Sequence, residues 1–310
     1  MKTVIIDRSL SGMKFYEQTK KSDVFLYVCS LFECGVDFVE IDVFSLQRLP
    51  IPKEHENYIF RLNHPSELSI INSLHFKYIT VPLKFSYLIT KINAPVLLET
   101  NIGEVDLFSL LKVISDNIDF TKISMLRLIG DFKDDSIIKS FLSDYNLRYT
   151  VPVDICATNN SMTALSVSIA AKFNGANAIT LSFGDTDNFA ALEEFLIVMS
   201  TTYKTIVRST YISGICKAAI ISSLIGNIEN NNMQAIIKLY QLSPKRIELI
   251  DEEPHSERIK FYTAPKYRTV VDKNLDAMEI DDEIADEIKN IIEKHNINAK
   301  NTRQKEDFLN

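Results

Sequence analysis

The chain has 310 residues, 46% of them hydrophobic, enough to bury a large core as one big domain or as one domain with an appendage. A formal net charge of −7 and a pI near 5.4 argue against nucleic acid or an anionic membrane surface as the main partner. No apolar run reaches membrane-spanning length, the opening MKTVIIDRSL reads as a strand rather than a signal peptide, and the four cysteines (Cys29, Cys34, Cys156, Cys216) form no CxxC pair, so free thiols in a reducing cytoplasm are expected.

Eight short apolar runs follow one another in chain order: Thr3–Asp7, Phe38–Asp42, Tyr58–Leu62, Tyr78–Pro82, Pro95–Glu99, Ser124–Gly130, Val151–Ala157 and Ala178–Phe183. Helical patterns lie between them, among them Tyr16–Cys34, Ser66–Leu74, Val105–Ile118, Ser136–Tyr145 and Ser161–Asn174. Alternating strand and helix predicts a parallel sheet with helices outside, and eight repeats close a (β/α)8 TIM barrel. An open doubly wound sheet needs no eighth strand and usually carries a Gly-rich first turn, which this sequence lacks.

The stretch from Val151 to Glu194 is the most regular. VPVDICA is a β-branched strand, Ala164, Val167, Ala170 and Ala171 share a helix face ending before Gly175, AITLSF is a buried strand, and Asn188–Ser200 a second amphipathic helix. In such βαβ units function gathers where strands end, here at Cys156–Asn160 and Gly184–Asn188, the latter with Asp187 or Asn188 as a helix cap. After about Thr202 the rhythm breaks: helices are expected at Tyr211–Ile225, Met233–Tyr240, Lys266–Leu275 and Asp281–His295, with a charged, disordered tail. The organisation read from this is a barrel over 1–205, a linker and helical extension over 206–297, and the tail over 298–310.

Several segments together resemble the homocitrate synthase and isopropylmalate synthase family, the pyruvate-carboxyltransferase-like barrel enzymes. VIIDRSLSGMKF stands where that family has IxDTTLRDGEQ, CGVDFVEID where it has GVDxIEvG, and VLLETNIGEVD resembles its fifth-strand segment. Asn159, the turn Gly175-Ala176-Asn177 and Leu192-Glu193-Glu194 match its HxHNDxGxAxAN, Gly-Ala-Asp and GERAGNxxLEE segments, while ISGIC is similar to its Ser-Gly-Ile-His. The resemblance runs from Val4 to about His295. It implies condensation of acetyl-CoA with a 2-oxo acid such as 2-oxoglutarate, a divalent metal held by one Asp, two His and one Asn, and a dimer whose C-terminal region reaches over the partner's barrel.

Carried over residue by residue, that chemistry is missing. The family Arg-Asp pair aligns with Ser11 and Gly12, the following Glu-Gln with Lys14 and Phe15, the two His with Cys156 and Thr158, the Asn ligand with Phe189 or Asn188, and the later His with Cys216. No catalytic residue and no metal ligand carries over, and no cofactor is expected in this chain. Of the five histidines only His64 lies just past a strand end, so a two-histidine site cannot be assembled at the barrel mouth. A hard-ion site of oxygen ligands would draw on Asp7, Asp42, Glu99 or Asp154.

The candidate pocket is Asp7, Glu40, Arg61, Glu99, Arg127, Asp154, Cys156, Thr158 and Asn159, since charges inside barrel strands are costly unless paired or used. One reading is a retained polar cavity that once bound a dicarboxylate; the other is a set of internal ion pairs, Arg61 with Glu40 or Glu99, that fill a cavity vacated by substrate. Cys156 reads as a small buried thiol, having no histidine to activate it. Two functions remain open: a homocitrate-synthase-like acyltransferase subunit inactive alone, or a non-catalytic pseudoenzyme that pairs with and tunes an intact homologue. The expected partner is accordingly a second copy or such a homologue.

Overall fold

The computed structural model describes residues 3–49, 54–103, 107, 109, 111, 112, 116, 118–183, 188–201 and 210–226. Eight strands, β1 (Val4–Asp7), β2 (Phe38–Ile41), β3 (Glu54–Arg61), β4 (His75–Pro82), β5 (Val96–Asn101), β6 (Ile123–Gly130), β7 (Val153–Ala157) and β8 (Ala178–Leu181), pair in sequence order into a closed barrel. Every pairing is parallel, and β8 returns to β1 with Val4 beside Ala178 and Asp7 beside Leu181. The (β/α)8 expectation is met strand for strand.

Outside the barrel lie α1 (Lys21–Glu33), α2 (Val43–Leu46), α3 (Leu68–Ser73), α4 (Asp135–Arg148), α5 (Ala164–Phe173), α6 (Leu192–Thr201) and α7 (Thr210–Ile225). Two connections are reduced: α2 is a single turn capped by Asp42, and a 3-10 segment over Leu83–Lys91 links β4 to β5. Strand residues that face these helices, such as Val39, Phe60, Leu98 and Ile155, join the large outer core with Tyr27, Phe141 and Phe195. About 25 cal/mol per Å2 of buried apolar surface drives that packing.

The helix expected from Tyr16 begins only at Lys21. The backbone N–H of Tyr16 instead donates to the Ile225 carbonyl at 3.0 Å, and Thr19 Oγ1 donates to the same oxygen at 2.7 Å, so residues 16–19 hold the end of α7 and cannot join the helical ladder. Likewise α6 starts at Leu192 rather than Asn188, because Phe189 and Ala191 make bridges to Thr158 and Ser182. Segments 184–187 and 227–310, including three of the four C-terminal helices, and most of the helix expected over 105–118 lie outside the described residues.

α7 packs along α1 at very close range. A Cβ on Gly214 would stand 2.9 Å from the Cys34 backbone nitrogen and 3.0 Å from the Glu33 carbonyl carbon, so the approach requires glycine there. The helix tail then reaches the loop after β1, where Gly226 bridges Phe15.

Candidate functional site

Side chains alternate along each strand, and the pairing register turns that alternation into layers across the barrel interior. Phe38, Tyr78, Met125 and Ala178 come from the even strands at the lower end, and Ile6, Ile59 and Leu97 from the odd strands above them; together they form the small inner apolar cluster. The fourth odd-strand position is Asp154. The next even layer is Glu40, Thr80, Arg127 and Thr180, and the next odd positions are Arg8, Arg61, Glu99 and Cys156. The interior is thus apolar below and ionic toward the C-terminal ends of the strands.

Arg127 is the hub of the ionic part and has no exposed surface. Its Nε donates to Asp154 Oδ2 at 2.6 Å, its Nη1 donates to Glu40 Oε2, and the same nitrogen lies 3.5 Å from Glu99 Oε2. Thr80 Oγ1 donates to Glu40 Oε2 at 2.8 Å and Thr180 Oγ1 to Asp154 Oδ2 at 2.7 Å, each adding a second donor to the oxygen that Arg127 holds, while Glu40 Oε1 and Asp154 Oδ1 have no hydrogen-bond partner among the described residues. Arg61 holds Glu99 with both ends of its fork, Nη2 to Oε1 at 2.7 Å and Nη1 to Oε2, and stands 3.9 Å from Glu40. Arg8 Nη1 lies 3.9 Å from Glu99 and donates to Cys156 Sγ at 3.5 Å, while its guanidinium carbon sits 4.1 Å from the centre of the Phe189 ring.

Three guanidiniums thus face three carboxylates. Burial alone would raise the Glu40 carboxyl, but Arg127, Arg8 and Arg61 hold it at about 2. Glu99 is buried too, and Arg61 first, then Arg8 and Arg127, keep it below the ordinary carboxylate range. Burial pushes the Cys156 thiol up to about 11 in spite of Arg8, so it is a neutral SH near pH 7 and not a nucleophile.

The structure separates the sequence-derived candidates. Glu40, Arg61, Glu99, Arg127 and Asp154 form one network, with Cys156 attached through Arg8. Asp7 does not join them. It follows Ile5 in facing α1, where it accepts from the Ser9 backbone N–H at 3.1 Å and from Ser9 Oγ at 2.7 Å beside buried Tyr27. Burial lifts its carboxyl to about 7. Thr158 stands above Cys156 with its hydroxyl buried and unpartnered among the described residues. Asn159 is tied to the loops: its N–H donates to the Asn188 carbonyl at 2.7 Å and its side chain accepts from Ala164 at the start of α5. Asp42 accepts from the Phe44 and Ser45 amides as the cap of α2. His64 caps a 3-10 turn at the surface.

The sequence reading missed Arg8, and alternation held the signal: counting by two from lumen-facing Ile6 reaches Arg8, not Asp7. It also missed Thr80 and Thr180, whose role depends on which strands become neighbours.

The divalent centre implied by the resemblance does not fit these residues. Position 156 offers a neutral thiol with a guanidinium already against it, position 158 offers a hydroxyl, and Asp7 faces away. Among the described residues no group of three or more His, Cys, Asp or Glu is arranged to hold a metal ion. A fixed cation beside the would-be ligands repels a dication.

No family model matches the chain. It is 29% identical over 218 residues to a Clostridium pasteurianum protein described as the omega subunit of homocitrate synthase; the match covers 67% of this chain and 62% of that relative, just under two thirds of its length. Among solved structures, HMG-CoA lyase of Bacillus subtilis superposes with a TM-score of 0.58 at 14% identity, covering 76% of this chain and 98% of the lyase. HMG-CoA lyase of Acinetobacter baumannii, in complex with coenzyme A and 3-methylmalate, gives a TM-score of 0.56 at 11% identity, covering 82% and 98%. At those identities the two lyases speak for the fold alone. Barrel topology and the 29% match together make this chain a (β/α)8 protein similar in sequence to the omega subunit of homocitrate synthase.

Proposed function

We propose that the chain is a subunit of a homocitrate-synthase-like acyltransferase that does not turn over alone and works beside a homologue retaining the metal ligands. The observation that supports this is the mouth of the barrel: the positions of the two family histidines hold Cys156 and Thr158, and Arg8 lies on the thiol. The name of the 29% relative, a subunit of homocitrate synthase, points the same way. In such a pair the homologue supplies the metal, while this chain contributes a barrel of matching shape and its arginines.

A second reading, a non-catalytic partner that stabilises or tunes the homologue, draws on the ion pairing itself. Arg61 is paired with both oxygens of Glu99, and Arg127 contacts three carboxylates, which fills the interior without a ligand. Both readings place the protein in the cytoplasm. No helix among the described residues is long and apolar enough to cross a membrane.

The test is reconstitution. The full chain is purified alone and together with a co-expressed homologue that carries both histidines, and thiol release from acetyl-CoA is followed with 2-oxoglutarate. No turnover alone, with stable co-purification and faster turnover in the pair, supports the subunit reading. Co-purification without any effect on rate moves the assignment to the non-catalytic partner. Turnover by the isolated chain with a stoichiometric bound metal overturns both.

A further inference from the structure

One cation at the barrel mouth, Arg8, is underpaired. Arg8 is 6% exposed, yet its contacts are poor for a buried guanidinium. Nη1 meets a thiol at 3.5 Å and a carboxylate only at 3.9 Å, and that carboxylate, on Glu99, is already held by Arg61 through both oxygens. The Nε–H of Arg8 is buried with no acceptor among the described residues. Arg61 and Arg127, by contrast, each hold at least one carboxylate oxygen closely, although Arg127 Nη2 also has no acceptor among the described residues.

A second orphan lies beside it. Thr158 Oγ1 is buried without a partner, and Thr158 bridges Phe189, the residue whose ring carries the Arg8 guanidinium. Buried polar groups are almost always satisfied, and a buried charged donor left unmade is the costliest exception. These two donors, one cationic, lie on residues that both contact Phe189, and neither has an acceptor among the described residues.

We propose that Arg8 and Thr158 form a metal-independent site for a single carboxylate group, the guanidinium providing the positive charge that a divalent ion provides in related barrels. The proposal rests on the metal-free reading of the mouth given above and names the ligand class of that site. The Nε–H and the Thr158 hydroxyl donate to the carboxylate, and the Phe189 ring keeps the guanidinium plane in place. The adjacent thiol suits this arrangement: uncharged, it takes only a weak hydrogen bond from Nη1 and leaves the Nε–H to the ligand.

Acetate is the probe, with acetamide as the neutral control of the same shape. Titration of the full-length chain is followed by the arginine Nε–Hε resonances, with the Arg8 signal assigned by its loss in Arg8→Gln. A ligand this small binds with a dissociation constant on the order of millimolar. Acetate is expected to shift the Arg8 resonance, acetamide to leave it in place, and the dissociation constant to be the same with chelator and with added Mn2+. Arg8→Lys, which keeps the charge but loses Nε, weakens binding roughly 10-fold, the scale of one charge-assisted hydrogen bond. Thr158→Val, which keeps the shape, weakens it about 3-fold to 10-fold.

No response to acetate in the wild-type chain overturns the proposal, as does an equal response to acetamide, a requirement for Mn2+, or unchanged binding in folded Arg8→Lys and Thr158→Val. Because the reconstitution assay reads turnover of a pair and this titration reads one chain, the failure of either is distinguishable from failure of the other.

Discussion

Arg127 on β6 and Glu40 on β2 stand 87 positions apart in the chain and meet inside the barrel as an ion pair with no exposed surface on either side chain. The same guanidinium takes Asp154 on β7 at 2.6 Å. Removing one partner of a buried pair leaves an uncompensated charge, which costs more than the pair contributes. Arg127→Met is therefore expected to lower stability by about 3–5 kcal/mol in urea denaturation of the full chain. Neutralising the orphaned carboxylates as well, with Glu40→Gln and Asp154→Asn added, recovers a large part of that loss. A loss under about 1 kcal/mol for Arg127→Met alone would contradict the hub role.

The pH dependence of stability has a definite sign. Asp7 rises from an ordinary 3.8 to about 7 on folding through burial, and burial takes Glu67 from 4.5 to about 7. The folded state binds more protons than the unfolded one between those limits, so stability is greatest at the acid end and falls as pH rises through about 7. Glu40, held at about 2, acts in the opposite sense only below its ordinary range. Between pH 5 and pH 7.5 Asp7 alone gives a fall of about 2 kcal/mol, and Asp7→Asn should remove that part of the slope. Denaturation midpoints at the two pH values for both proteins measure it; a wild type that gains stability across this range would show that Asp7 is ionised in the fold.

Cys156 is expected to be inert to thiol reagents in the native state. It is buried and its thiol is pushed up to about 11, which leaves little thiolate at neutral pH. Iodoacetamide labelling followed by peptide mass spectrometry should find position 156 unmodified under native conditions and fully modified in denaturant. Rapid native labelling would mean an open, ionised thiol and a different chemistry at the mouth.

Gly214→Ala tests how α7 is seated. In an ordinary helix interior that change gains about 1 kcal/mol. Here the added methyl meets the Cys34 backbone at 2.9 Å, and backbone cannot give way as a flexible side chain can. A net loss of about 1–3 kcal/mol is expected, read as a lower thermal midpoint. A raised midpoint would place α7 farther from α1.

The order of the eight strands, their parallel pairing and the kinship of the fold were legible in the sequence. Each rests on local signals, apolar runs such as Val153–Ala157 alternating with helical patterns such as that of α5, and on connections too long for hairpins. Charged residues inside Arg61 and Arg127 strands marked an ionic interior. What the sequence could not decide was which charges meet. Asp7 and Arg8 are neighbours in the chain, yet one faces α1 and the other the lumen, because successive strand residues point to opposite faces and the closed register fixes which face is inside. Arg127 could choose among Glu40, Glu99 and Asp154 only once barrel shear had set the layers, and the placement of Arg8 over Phe189 beside an unpartnered Thr158 exists only where the ends of β1 and β7 and the turn ahead of α6 converge.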